Sequence, residues 1–230
     1  MNEEFFSRSA ALLGEEQMHR LQTTHFILVG VGGVGSWCAE ALVRTGATHL
    51  TIIDDDRIAP SNVNRQCPAI ATTLSLPKAE VMKARLMAIN PEAELNAVIE
   101  RYQNGVPARF SEGERTVIID AIDSVDCKAQ LILWATENSV PIISSMGAAG
   151  RLDPTKVEVK RFDKVTGDGL ARALRQHFKR LGRYPAAKFE CAVSSENSMP
   201  MKTVRPSYMP VTCAFGMALA ARAMLLSFLM

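Results

Sequence analysis

The residues best suited to chemistry form one run, Gly30-Val31-Gly32-Gly33-Val34-Gly35, directly behind the apolar segment His25 to Val29. Gly30, Gly32 and Gly35 satisfy the spacing G-x-G-x-x-G. In a strand-to-helix turn the first glycine lets the chain turn tightly, the second lets the backbone approach a phosphate, and the third lets helix and strand pack closely. Unpaired amides at the start of the following helix attract an anion. Asp54 ends the next apolar segment, where a carboxylate accepts hydrogen bonds from both ribose hydroxyls. The chemistry is nucleotide binding, and these residues alone do not separate ATP from NAD.

The residues after Asp54 favour ATP. Asp54-Asp55-Asp56-Arg57-Ile58-Ala59-Pro60-Ser61-Asn62-Val63-Asn64-Arg65-Gln66 is polar and dense in donors, and Lys78 follows Leu76-Pro77. Arg65 and Lys78 are placed to meet a triphosphate, and Asp56, Ser61, Asn62 and Gln66 add polar groups around it. Polyphosphate chemistry consists largely of holding and neutralising such charge. Any one of these residues alone reads equally as part of a solvated loop.

The ordered set GVGGVG, acidic strand end, S-N-x-x-R-Q, P-K and D-x-x-D resembles the ubiquitin-activating-enzyme-like family, which includes adenylyltransferases of molybdopterin and thiamine biosynthesis. The resemblance implies ATP at Gly33, ribose at Asp54, phosphates at Asn62, Arg65 and Lys78, and magnesium at Asp123. It matches Arg8 to an arginine that reaches the ATP of the opposite subunit, so it implies a homodimer with shared sites. Asp120-Ala121-Ile122-Asp123, Ser144-Ser145-Met146-Gly147-Ala148 and Gly150-Arg151-Leu152-Asp153-Pro154 are similar to one branch, the tRNA threonylcarbamoyladenosine dehydratases. The activity implied is adenylation of a threonyl carboxylate on tRNA, followed by ring closure with loss of AMP. A sulfur-carrier adenylyltransferase is the alternative, with an NAD-dependent oxidoreductase and a nucleotide-binding scaffold as more distant rivals. A monovalent cation and a sulfur-relay protein are further candidate ligands.

Positioning these residues requires an α/β fold. His25 to Val29, His49 to Asp54, Leu95 to Ile99, Thr116 to Asp120 and Pro141 to Ser145 read as strands. They alternate with helical patterns after Gly35, from Lys78 to Ile89 and from Asp126 to Asn138. That alternation predicts a Rossmann-like, doubly wound and mostly parallel sheet with helices on both faces. Residues 1–150 form the expected adenylation domain, and residues 151–230 a C-terminal extension of the same globular unit. The extension is expected to hold an antiparallel strand from Lys156 to Phe162 and a basic helix from Leu170 to Leu181. A loop or lid is expected from Gly182 to Pro210, and an apolar helix from Val211. Arg172, Arg175, Lys179, Arg180, Arg183 and Lys188 form a basic run suited to an RNA backbone, with Tyr184 and Phe189 as candidate stacking groups.

The totals fit this reading. With 47% hydrophobic and 22% charged residues over 230 positions, the composition is that of a globular chain. A net charge of +2 permits an RNA partner without requiring one. The 5 cysteines include no C-x-x-C pair, which argues for reduced thiols in a cytoplasmic setting and against structural zinc. The acidic start Met1-Asn2-Glu3-Glu4 has no apolar stretch of a signal peptide behind it. Val211 to Met230 has membrane length, but Arg222 interrupts it, so a core or dimer-interface helix is expected over a membrane anchor.

Overall fold

The computed structural model describes residues 3–103, 115–200 and 206–230. Its centre is a 7-stranded sheet of order β3-β2-β1-β4-β5-β7-β6. The strands are β1 (Thr24–Val29), β2 (His49–Ile53), β3 (Glu94–Val98), β4 (Arg115–Asp120), β5 (Ile142–Ser145), β6 (Val157–Arg161) and β7 (Glu190–Ser194). All neighbours are parallel except β6, which runs antiparallel to β7 at the edge. The order reverses between β1 and β4. In an open α/β sheet the crevice at that reversal is where ligands bind.

Each central strand feeds two cores by simple alternation. Phe26 and Leu28 of β1 point into one hydrophobic cluster, while Ile27 and Val29 point into the other. Full burial on both faces explains why the strand is a continuous apolar run. The first face carries α1 (Ser7–Thr23), α2 (Gly35–Thr45), α3 (Lys78–Ile89) and α6 (Met209–Phe228); the second carries α4 (Val125–Glu137) and α5 (Gly169–Leu181). Gly14, at φ 79°, kinks α1.

Helix α6 is the segment of membrane length. Its residues Val211, Phe215, Leu219, Ala220 and Ala223 are buried against the sheet. At Gly216 a Cβ would lie 2.6 Å from the Val34 carbonyl oxygen, so the small residue lets α6 approach the glycine loop. The guanidinium of Arg222 pairs with Glu190 of β7. Met217 and Leu225 on the helix are exposed, as is Leu229 just past its end.

One expectation is corrected. The stretch from Gly182 to Pro210 is not simply a loop, because β7 lies within it and fills the sheet between β5 and β6. Glu190-Cys191-Ala192-Val193-Ser194 holds one β-branched residue, so its own propensity for strand is weak. Pairing on both sides decides its conformation, with Ser144 beside Cys191 and Lys160 opposite it. Residues 201–205 of that stretch lie outside the described residues.

Candidate active site

A cavity of about 900 Å³ opens at the strand ends where the sheet order reverses. That size is at the upper end of small-molecule sites, roughly 300–1,000 Å³. Its walls divide into two halves. One is built by the loops after β1, β2 and β4, and the other by the loop after β5, the start of α5 and the segment after β7.

In the first half the glycine loop is held by close backbone contact. Gly30 has φ +91°, and a Cβ on it would meet the Ala121 carbonyl oxygen at 2.7 Å. A Cβ on Gly35 would fall 1.9 Å from the Gly30 carbonyl oxygen, so only glycine fits. Gly32 and Gly33 face the cavity. The Arg65 stem lies over Gly33, where its Cδ would be 3.2 Å from an added Cβ.

Asp54 accepts from the Val31 amide at 2.7 Å and the Asp56 amide at 2.9 Å. Burial pushes its carboxyl up from the ordinary value, while those two amides and the Lys78 charge act the other way. Lys78 begins α3 and is 5% exposed. Its Nζ meets Asp56 Oδ2 at 2.6 Å, so the exposed carboxylate holds the ammonium at the cavity wall. Arg65 Nη1 donates to the Ser61 carbonyl at 2.8 Å and to Asn64 Oδ1 at 2.9 Å. Asn62 is buried, and its Oδ1 accepts from the Ala59 amide at 2.9 Å, closing the turn that presents Arg65. Gln66 also lines the wall, with its Oε1 buried and without a hydrogen-bond partner among the described residues. Asp123 stands on the loop after β4, exposed at the cavity wall.

Two predicted residues lie elsewhere. Ser61 is exposed and off the cavity wall, and it contributes through the carbonyl that supports Arg65. Arg8 sits exposed on α1, away from this cavity.

The basic run separates into kinds. Arg172, Lys179, Arg180 and Lys188 are exposed, and Arg183 is exposed but paired with Glu137 at 2.7 Å. Arg175 is a correction: its Nη2 donates to the carbonyls of Phe162 and Val165, each at 2.7 Å, and its guanidinium lies 4.8 Å from the Phe162 ring centroid. It falls on the inner side of a helix whose apolar residues are packed down. Phe189 is a second correction, because it is 6% exposed and stacks on Phe162 at 4.8 Å. Tyr184 remains exposed.

Two buried ion pairs join residues to which the sequence assigns no pairing. Asp120 Oδ2 accepts from Lys128 Nζ and Ser144 Oγ, each at 2.6 Å, with all three residues 0% exposed. Asp120 Oδ1 accepts from the Ile122 amide at 3.1 Å, which fixes the loop carrying Asp123. The available signal was Lys128 itself, a charge in helical register with Leu131, Ile132 and Ala135. The second pair joins Arg151 to Asp168 at 2.8 Å in the other half of the cavity.

The thiols stand apart from this chemistry. Cys191 is 0% exposed within β7, and burial pushes its thiol up to about 12. Burial and the Glu40 carboxylate likewise push Cys67 up to about 12. Neither is a nucleophile near neutral pH.

Comparison with known proteins follows the same lines. Residues 6–227 match the model of the ThiF family. The chain is 40% identical over 174 residues to the tRNA threonylcarbamoyladenosine dehydratase of Escherichia coli, covering 76% of this chain and 65% of the relative, just under two thirds of its length. It is 36% identical over 177 residues to the Bacillus subtilis enzyme of the same name, covering 77% and 70%. The crystal structure of the E. coli dehydratase with AMP superposes with a TM-score of 0.90 at 36% identity, covering 97% of this chain and 93% of that one. The structure of that protein with ATP gives 0.89 over the same shares. A Haemophilus influenzae molybdopterin-synthase adenylyltransferase is less similar, at 28% over 152 residues, covering 66% and 60%. The glycine loop, the polar segment behind Asp54 and the β4 loop therefore sit in a shared framework, and the chain belongs to the ThiF family.

Proposed function

We propose that this protein uses ATP to adenylate the threonyl carboxylate of threonylcarbamoyladenosine in tRNA and then closes that side chain into a ring. One observation carries the reading: Lys78 and Arg65 face the same cavity as the open glycine loop and the ribose-type carboxylate Asp54. The cations and loop amides hold the polyphosphate, and Asp54 holds the ribose. A carboxylate oxygen of the substrate attacks the α-phosphorus, and the bond to pyrophosphate breaks. A nitrogen of the same side chain then attacks the activated carbonyl carbon, loses its proton, and AMP leaves. The nucleoside loses one water in total. The second step is intramolecular, so orientation supplies much of the acceleration. No protein thiol takes part, in keeping with the buried Cys191.

Magnesium fits the donor set. It is a hard cation that commonly takes one or two carboxylates and fills its remaining positions with phosphate oxygens and water, and Asp123 offers such a carboxylate at the wall. When bound it neutralises polyphosphate charge. Arg172, Lys179 and Arg180 supply exposed positive charge on α5 for the RNA backbone. A tRNA substrate and cysteines without disulfide spacing suit a cytoplasmic enzyme.

The enzyme acts as a homodimer in which Arg8 serves the partner's ATP. The exposed apolar residues Leu12 on α1, Met217 and Leu225 on α6, and Leu229 just past α6 provide surface for the association. Mixing inactive Arg8→Ala and Lys78→Ala proteins under verified subunit exchange should restore activity. No recovery would end the shared-site claim.

The activity itself is tested by incubating the protein with ATP, magnesium and bulk tRNA and weighing the digested nucleosides. Loss of one water from threonylcarbamoyladenosine is expected. An unchanged nucleoside, with AMP instead transferred to the C-terminus of a sulfur carrier, would replace this reading.

A further inference from the structure

Three chain segments remote in sequence build the second half of the cavity, and Arg151 ties them together. Its Nη2 donates to Asp168 Oδ2 at 2.8 Å, and its Nε donates to the Glu196 carbonyl at 3.0 Å. Asp168 Oδ2 also accepts from the Gly147 amide at 3.2 Å, while Oδ1 caps α5 through the Ala171 amide at 2.9 Å. The β5 loop, the start of α5 and the segment after β7 thus meet at one ion pair. Glu196 reinforces the join, since its carboxylate accepts from the Leu152 and Asp153 amides. Met199 donates to the Gly150 carbonyl at 2.7 Å.

Arg151 and Asp168 are each 3% exposed, yet both contribute to the cavity wall. A Cβ on Gly147 would lie 3.4 Å from Asp168 Oδ2 and 3.6 Å from Arg151 Nη1, so the backbone there rests directly on the pair. Apolar residues of similar volume generally stabilise a buried position as well as an ion pair does, because removing two charges from water offsets their attraction. What the charged pair adds here is direction: a planar fork fixes two acceptors at once. Asp168 accepts from three donors with its two oxygens, so its carboxylate serves as a holder and not as a base.

We propose that the Arg151–Asp168 pair is a positioning device that sets the acyl-substrate wall of the cavity against the nucleotide, coupling the RNA-facing helix α5 to the Gly147 loop. The inference rests on the proposed tRNA activity. It assigns the pair to the acyl-transfer steps and not to ATP binding, which belongs to the opposite wall.

The test uses the full chain and the variants Asp168→Asn, Arg151→Lys and Arg151→Gln. ATP affinity, melting temperature, and kcat and KM for tRNA are measured, with kcat expressed per ATP-binding site so that unfolded protein does not count. ATP affinity should stay within about threefold of wild type, while kcat at saturating tRNA falls about tenfold or more, as for misplacement by a fraction of an ångström. Arg151→Lys keeps the charge but loses the fork, so its loss should be smaller than that of Arg151→Gln. A kcat per site within about twofold of wild type in both Asp168→Asn and Arg151→Lys overturns the inference. So does a loss of ATP affinity parallel to the loss of kcat, which marks a general structural role. If Asp168→Asn does not fold, Arg151→Lys decides alone. A wild-type protein that leaves the nucleoside unchanged overturns the proposed function, and the inference with it; an active wild type with unaffected variants overturns the inference only.

Discussion

On one side of the cavity Lys78 is held by an exposed carboxylate and Arg65 by exposed carbonyl and amide oxygens. On the other side Arg151 is buried against a buried aspartate. Under the proposed activity the first side faces the polyphosphate, with Lys78 and Arg65 both on its wall. On the second side the polar groups are satisfied by one another, with Asp168 accepting from Arg151 and from the Gly147 and Ala171 amides. The first side therefore presents its cations beside exposed partners, whereas the second closes its ion pair inside the wall.

The strongest challenge to that contrast is to remove charge from the nucleotide side. Asp123→Asn keeps the side chain's size, on a β4 loop that Asp120 holds through the Ile122 amide. Turnover should fall on the order of a hundredfold or more, as for other losses of a preorganised electrostatic contact, with the melting temperature unchanged. Near-normal turnover would reduce Asp123 to a polar loop residue and leave magnesium without its carboxylate.

The two sides also differ in how far the sequence reveals them. Gly30 through Lys78 is one nearly continuous segment, and its glycines, Asp54, Arg65 and Lys78 meet at one cavity wall. That half could be read in order. The second half could not, because Arg151, Asp168 and Glu196 come together only when β7 enters the sheet, and β7 carries little strand propensity of its own. Lys128 was hidden for a related reason. A buried lysine looks like any helical lysine until its partner, at a strand end on another element, is known. The basic helix shows the opposite error: Arg175 matched its neighbours in type, but helical geometry turned it inward.

Within α5 the contrast can be sharpened at two arginines three residues apart in one helix. Arg175→Ala removes two hydrogen bonds to carbonyls of Phe162 and Val165. The Phe162 carbonyl still accepts from the Val165 amide at 3.2 Å, so the loss falls on the Val165 carbonyl. Leaving such an acceptor unpaired costs about 1–3 kcal/mol, which for a chain of this length lowers the melting temperature by roughly 2–4 °C per kcal/mol. Arg172→Ala, on the exposed face, should leave melting unchanged and raise KM for tRNA. If Arg172 meets a phosphate, the slope of log affinity against log salt should fall by about 1. Equal melting of the two variants would erase the distinction between a packed and a presented arginine.

The smallest expected effect lies beneath the nucleotide side. Glu40 of α2 accepts from Arg44 at 2.9 Å, from Arg85 Nη2 at 3.1 Å and from the Cys67 thiol at 3.0 Å. Cys67 in turn donates its amide to Ser36 Oγ, which bonds the Gly32 carbonyl at 2.6 Å. The carboxylate therefore ties the glycine loop to the segment carrying Arg65. Burial alone would push the Glu40 carboxyl up, but the hydrogen bonds from Arg85, Cys67 and Arg44 outweigh it and hold it at about 2, against an ordinary 4.5. Because the folded value is the lower one, the unfolded chain binds the proton first as pH falls. The stabilisation is complete above about pH 4.5 and disappears as pH falls through about 2. Both arginines are partly exposed, with side-chain accessibilities of 57% and 43%, so solvent screening reduces the contribution to about 1 kcal/mol. Glu40→Gln should thus be less stable than wild type by about that amount at neutral pH, with the gap closing steadily between pH 4.5 and 2 in denaturant titrations. A gap that stays constant across that range would mean Glu40 acts through packing and neutral hydrogen bonds, and that the nucleotide wall does not depend on a buried charge beneath it.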